Sequence, residues 1–78
     1  MASENFLKYV VSFLVEKPDA VSVKEINSEE ANVLELRVAP EDIGKVIGRN
    51  GRIARSLRTL VAAAGVKDGK SYTLEIID

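Results

Sequence analysis

The stretch Val46-Ile47-Gly48-Arg49-Asn50-Gly51-Arg52 sets two glycines three apart, with basic and amide residues around them, at the junction of two helical patterns. Glycine lacks a Cβ and tolerates positive φ, so the main chain can turn sharply there and approach a ligand closely. A helix opening at Gly51 offers unpaired N–H groups and a positive dipole end, which suit a phosphate. The spacing alone says little. At about 7% glycine, roughly one chain in three of this length would show it by chance, so its meaning depends on the flanking sequence.

The flanks are charged in a one-sided way. From Gly44 to Thr59 there are five basic residues (Lys45, Arg49, Arg52, Arg55, Arg58) and no acidic one, whereas the remainder holds six basic against twelve acidic residues. The stretch is therefore +5 and the rest −6, although the net charge is only −1. Such an asymmetry focuses an anionic ligand onto one face.

Seventy-eight residues make one small domain, spanning 1–78, whose stability must come from a single core. The 46% hydrophobic and 29% charged composition is that of a globular chain. The sequence lacks cysteine and histidine. Disulfides, thiolate catalysis, the usual general base and the commonest metal ligands are thereby excluded, and neither an enzyme nor a metal or other cofactor is expected. No apolar run approaches the roughly 20 residues that span a bilayer, and Met1 to Glu16 is amphipathic and acid-containing, unlike a signal peptide. The expected location is the cytoplasm.

Working outward, Pro40 suits the first position of a helix, Glu41 and Asp42 complement its positive end, and Ile43, Val46 and Ile47 recur at helical spacing. Gly48 is placed for a left-handed cap. Beyond Gly51, Ala54, Leu57, Val61 and Ala64 form an apolar row with Ile53 and Leu60 beside it, while Arg52, Arg55 and Arg58 occupy a separate arc. Gly65 is expected to stop that helix, Lys67-Asp68-Gly69-Lys70 to turn, and Tyr72, Leu74 and Ile76 to alternate as a last strand. Toward the N-terminus, Ser3 is a candidate cap for an amphipathic helix over about Ala2 to Val15, which Pro18-Asp19 ends. Two half-buried strands follow, carried by Val21 and Val23 and by Leu34, Leu36 and Val38, with Asn27-Ser28-Glu29-Glu30 as the turn between them. The sum is an α+β arrangement, α-β-β-α-α-β, with helices on one face of a three-stranded sheet.

Ile43 to Leu57 resembles the signature of the KH domain, whose Gly-x-x-Gly loop joins two helices and clamps about four nucleotides of single strand. A helix and a strand ahead of the strand-helix-helix-strand core resemble the type II arrangement, which in that family has a mixed sheet. With one such unit filling the chain, the match is to the small bacterial single-KH proteins of the KhpA (YlqC-like) family. The resemblance implies a binder of single-stranded RNA, an RNA chaperone or post-transcriptional regulator linked to cell growth and shape. It also implies a homodimer, or a heterodimer with a larger Jag-like KH protein, and so leaves an alternative in which the fold is mainly a dimerisation module with RNA binding secondary; no membrane and no small-molecule substrate is expected as partner. Carried onto this sequence, the main chain of Gly48 to Gly51 approaches the phosphates, and Arg49, Asn50 and Arg52 supply donors and charge. Ile43, Ile47 and Ile53 floor a groove for bases, and Lys45 and Arg55 flank the loop. For Arg55 and Arg58 a solvated helix face remains an equal alternative. The chain departs from many KH motifs in having Ala54 three positions beyond the second glycine, with Ile53 one residue earlier.

Two rivals fail on order. Gly65-Val66-Lys67-Asp68-Gly69-Lys70-Ser71 ends like a phosphate-binding P-loop but has one residue too few between its glycines, and it runs from helix to strand instead of strand to helix. A DNA-binding helix-turn-helix is opposed by the short first helix and the strands on both sides.

Overall fold

The computed structural model describes residues 3–29 and 32–77. Its elements are α1 (Ser3–Ser12), β1 (Ser22–Asn27), β2 (Asn32–Arg37), α2 (Ile43–Ile47), α3 (Arg52–Lys67) and β3 (Tyr72–Ile77), with single 3-10 turns at Pro18–Ala20, Pro40–Asp42 and Arg49–Gly51. The expected order of elements holds throughout.

Strand β2 is central. It pairs antiparallel with β1, Val23 opposite Leu36, and parallel with β3, Leu34 beside Leu74. Alternation works because one face is covered: Leu34 and Leu36 are fully buried and Leu74 next to them is buried, whereas Lys24, Thr73 and Glu75 on the other face are exposed. Leu7 and Val11 of α1, Val46 of α2, and Leu57 and Val61 of α3 complete the core from the helical side. A parallel pair cannot be joined by a tight turn. The crossover from β2 to β3 is the α2-loop-α3 segment, so the glycine loop belongs to the crossover.

Three local expectations are corrected. Helix α1 ends at Ser12, not near Val15, because the N–H groups of Phe13 and Leu14 bond back three residues, to Val10 (3.2 Å) and Val11 (2.8 Å), and tighten the last turn. Pro18 then opens a 3-10 turn of its own. Ser3 lies within the helix and is 2% exposed, and its hydroxyl donates to Asp68 Oδ2 at 3.0 Å, tying the start of α1 to the end of α3. The expected start at Ala2 and the turn residue Glu30 lie outside the described residues.

The third correction concerns Gly65, which does not stop α3. The helix runs on to Lys67 and is closed by Gly69 at φ +70°, with Lys70 N–H on the Gly65 carbonyl (2.7 Å) and Gly69 N–H on that of Val66 (3.1 Å). This is the Schellman pattern. Gly65 serves packing: a Cβ there would lie 2.6 Å from the Lys70 carbonyl oxygen and 2.7 Å from Tyr72 Cδ2. Gly65→Ala is therefore expected to lose about 1–3 kcal/mol by overpacking, since the nearest obstacle is backbone. Urea melts should show a lower midpoint at unchanged slope.

Candidate nucleic-acid interface

Helix α2 has five residues and exists by packing: Val46 is fully buried, Ile43 half-buried, and Ile47 exposed at its rim. Gly48 ends it, its N–H on the Gly44 carbonyl at 2.9 Å. The expected positive φ is present (+75°), but ψ is 174°, so the residue is not left-handed helical; it occupies a region essentially reserved for glycine. Space is closed as well, since a Cβ on Gly48 would lie 2.7 Å from Ile53 Cγ1. Asn50 (φ 57°, ψ 24°) and Gly51 (φ 72°, ψ 18°) are left-handed, and Asn50 is the one non-glycine residue at positive φ among the described residues. Asparagine tolerates that conformation better than most side chains.

These dihedrals decide which amides face out. Gly51 N–H is held by the Gly48 carbonyl at 3.1 Å and Arg52 N–H by that of Arg49. The N–H groups of Arg49 and Asn50 open the 3-10 turn and have no acceptor among the described residues. They are adjacent, in an exposed loop, and the second of them opens the left-handed pair Asn50-Gly51.

The basic side chains divide into two groups. Arg49, Arg52 and Arg58 are exposed and have neither an ion pair nor a hydrogen bond among the described residues. Arg55 donates from Nη2 to the Asn50 carbonyl at 3.0 Å. Lys45 faces Asp42 Oδ1 at 3.5 Å and Glu16 Oε1 at 3.7 Å, so part of its charge is answered within the fold. Of the apolar candidates, Ile53 packs between Gly48 and the core, and Ile47 adjoins the loop. Ile43 lines an open cavity of about 450 Å³ with Arg37, Val38, Pro40 and Ile77. Arg37 and Ile77 carry no signal in the sequence that would place them at a site; they are register partners on the parallel pair, and it is the sheet that brings Ile77 beside Arg37 and α2.

Asp42 departs from the part its position in the sequence suggests. It makes no side-chain cap to α2; its fully buried carboxylate accepts the N–H groups of Glu16 (3.1 Å) and Lys17 (3.0 Å). This fastens the chain leaving α1 to the start of α2. Glu41 remains at the surface, paired with Lys17. Burial pushes the Asp42 carboxyl up, but the two backbone donors and Lys45 pull it down harder, so it stays below the usual aspartate value.

With helices flanking a glycine loop over a mixed sheet, the element order is that of a type II KH domain. The family profile described as KhpA/KhpB, KH domain matches residues 4–76. The chain belongs to this family. Relatives named KhpA are similar over nearly their whole length. "RNA-binding protein KhpA" of Caldanaerobacter subterraneus subsp. tengcongensis is 52% identical over 71 residues, 91% of this chain and 95% of that protein. The protein of the same name from Aquifex aeolicus is 47% identical over 77 residues, 99% and 98% of the two chains. A crystal structure of an Aquifex aeolicus Era variant bound to GDP and aluminium fluoride shares the fold at a TM-score of 0.69 and 15% identity, covering 95% of this chain and 29% of that one. KH domains are non-catalytic binding modules, and no group of three or more potential metal ligands occurs among the described residues. None of the helices described is long and apolar enough to cross a membrane.

The Asp42 fastening carries a pH signature. A carboxylate with a depressed folded pKa adds stability that is complete above its unfolded value, here ordinarily 3.8, and lost as pH falls through the folded value. Asp42→Asn should therefore lower the thermal midpoint at neutral pH, and the gap to the parent should narrow as acid protonates Asp42. Melts at a series of pH values check this; a gap that stays constant into strong acid would contradict it.

Proposed function

We propose that this chain binds single-stranded RNA by holding its backbone in the Gly48–Gly51 loop, acting as an RNA chaperone or post-transcriptional regulator. The observation that carries this reading is the pair of adjacent unpartnered N–H groups at Arg49 and Asn50, flanked by guanidiniums of Arg49 and Arg52 that have no counter-ion among the described residues. Consecutive amides of this kind form an anion-binding nest. Phosphate is the anion that a donor-only loop with two forked cations suits. Ile47, Ile43 and the half-buried Ile53 then offer an apolar floor along which unstacked bases lie, which favours a single strand over a duplex. Lys45 and Arg55 flank the loop. Membership of the KhpA/KhpB family and the naming of close relatives as RNA-binding proteins support the same reading.

Affinity in this reading is modest. The exposed aromatic residues Tyr9, on α1, and Phe13, just past its end, contact each other edge to face at 4.9 Å, while Tyr72 is buried, so no stacking platform borders the loop. Backbone contacts position a strand without reading it. Sequence preference is loose as a result.

A second reading, association with another copy or with a larger Jag-like KH protein, is favoured by one observation. Phe6 of α1 and Leu60, Ala63 and Ala64 of α3 line an open, mainly apolar groove of about 450 Å³ on the helical side, and Leu60 is substantially exposed. Sedimentation should give a dimer at micromolar concentration, and Leu60→Glu should give a folded monomer; a parent chain monomeric alone and with that partner would count against pairing.

For RNA, Arg49→Asp with Asn50→Asp should abolish retention while circular dichroism is unchanged, because two anions then face the phosphates. For three or four phosphates, log affinity against log salt should slope at about −2 to −3. Full retention by the double variant, or a flat salt response, would overturn the proposed clamp.

A further inference from the structure

We infer that Arg55 is a positioning residue of the loop, holding the Asn50–Gly51 peptide in place, and not a phosphate contact. The inference rests on the reading of the loop as the RNA clamp. Arg55 lies in the first turn of α3, and its Nη2 reaches back five residues to the Asn50 carbonyl at 3.0 Å. The N–H at the other end of the same peptide unit, that of Gly51, is bonded to the Gly48 carbonyl at 3.1 Å. The peptide plane is therefore pinned at both ends, once by the loop and once by the helix that follows it.

The pinning falls where the chain needs it. Asn50 is the only non-glycine residue at positive φ among the described residues, so it is the member of the loop most inclined to relax. Turning this peptide over would break both bonds and move an acceptor oxygen within a loop whose ligand is an anion. With the plane fixed, the outward N–H groups of Arg49 and Asn50 stay next to each other. Arg52 and Arg58, on the same helix, have no such engagement among the described residues. The α3 arginines thus differ in what they face: Arg52 is turned to solvent and ligand, and Arg55 to the loop.

Salt dependence and the free-state spectrum separate a brace from a phosphate contact. Binding of a short fluorescein-labelled oligouridylate is measured over a range of potassium chloride for the parent chain, Arg52→Met, Arg55→Met and the Arg49/Asn50 double aspartate variant, with amide spectra of each free protein. If Arg55 is a brace, Arg55→Met binds about threefold more weakly, because only a fraction of the free loop is then competent, and its salt slope equals the parent's. Its Asn50 and Gly51 amide signals shift or broaden without RNA. Arg52→Met loses about 0.7 from the slope, as one phosphate contact on a single strand should. A slope reduced by about 0.7 in Arg55→Met, with loop amides unmoved in the free protein, would overturn the inference and make Arg55 a phosphate ligand. If the double aspartate variant binds as well as the parent, the clamp itself fails, whereas the Asn50 and Gly51 signals of Arg55→Met still decide whether Arg55 holds the loop.

Discussion

The parallel pairing of β2 with β3 is the constraint on which the rest of the molecule depends. Parallel neighbours must be joined by a crossover, and the crossover must cover one face of the sheet to bury its side chains. Here α2 and α3 form it, setting Val46, Leu57 and Val61 over Leu34, Leu36 and Leu74. The chain has to change direction between those helices, and it does so through Gly48 to Gly51. The loop's unpartnered N–H groups follow from this: a 3-10 turn beginning directly after a helix end has donors that nothing within it can satisfy. Gly65 completes the arrangement at the far end of α3 by letting the helix come close to Lys70 and Tyr72 as β3 begins.

Much of this is legible in the sequence because it is periodic or conformational. Alternation at Leu34, Leu36, Tyr72 and Leu74 marks strands with one covered face, and the spacing of Ile43, Val46 and Ile47 marks a helix however short. Gly48 and Gly51 announce positive φ by residue type alone. What is not legible depends on partners brought together by the fold. Ser3 has the residue type of a cap, but its hydroxyl goes to Asp68 at the other end of the sequence. Asp42 stands where a dipole complement to α2 belongs, yet its acceptors are spent on the backbone of Glu16 and Lys17. Gly65 resembles a stop signal because a late glycine in a helix usually is one; only the approach of β3 gives it another purpose.

The candidate site divides the same way. Sequence identifies the loop and its cations, since a run of five basic residues without an acidic one is visible in one dimension. It does not tell which of them face outward. Lys45 is held near Asp42 and Glu16, and Arg55 is drawn to the Asn50 carbonyl through a geometry that exists only because Asn50 is left-handed. The cavity beside Ile43 is hidden for a related reason: Ile77 is far from α2 in sequence and reaches it through its register with Arg37, at the end of the strand that leads into α2.

The electrostatics of the loop are consequently more local than the +5 stretch suggests. At physiological ionic strength the screening length is about 8 Å, so exposed acidic residues farther than that from the loop weigh little against a phosphate seated at Gly48 to Gly51. What such a phosphate meets is two adjacent amides and the outward guanidiniums of Arg49 and Arg52, with Lys45 and Arg55 partly engaged by the protein's own oxygens. The acidic remainder then acts mainly on orientation, disfavouring other faces for a polyanion. A net charge of −1 is thus compatible with an anion-binding loop, because the amides supply fixed dipoles that the charge count does not include. Those dipoles are also indifferent to base identity, so under the proposed clamp a sequence preference would come from the groups around the loop, Ile43, Ile47 and Ile53 among them, instead of the loop amides.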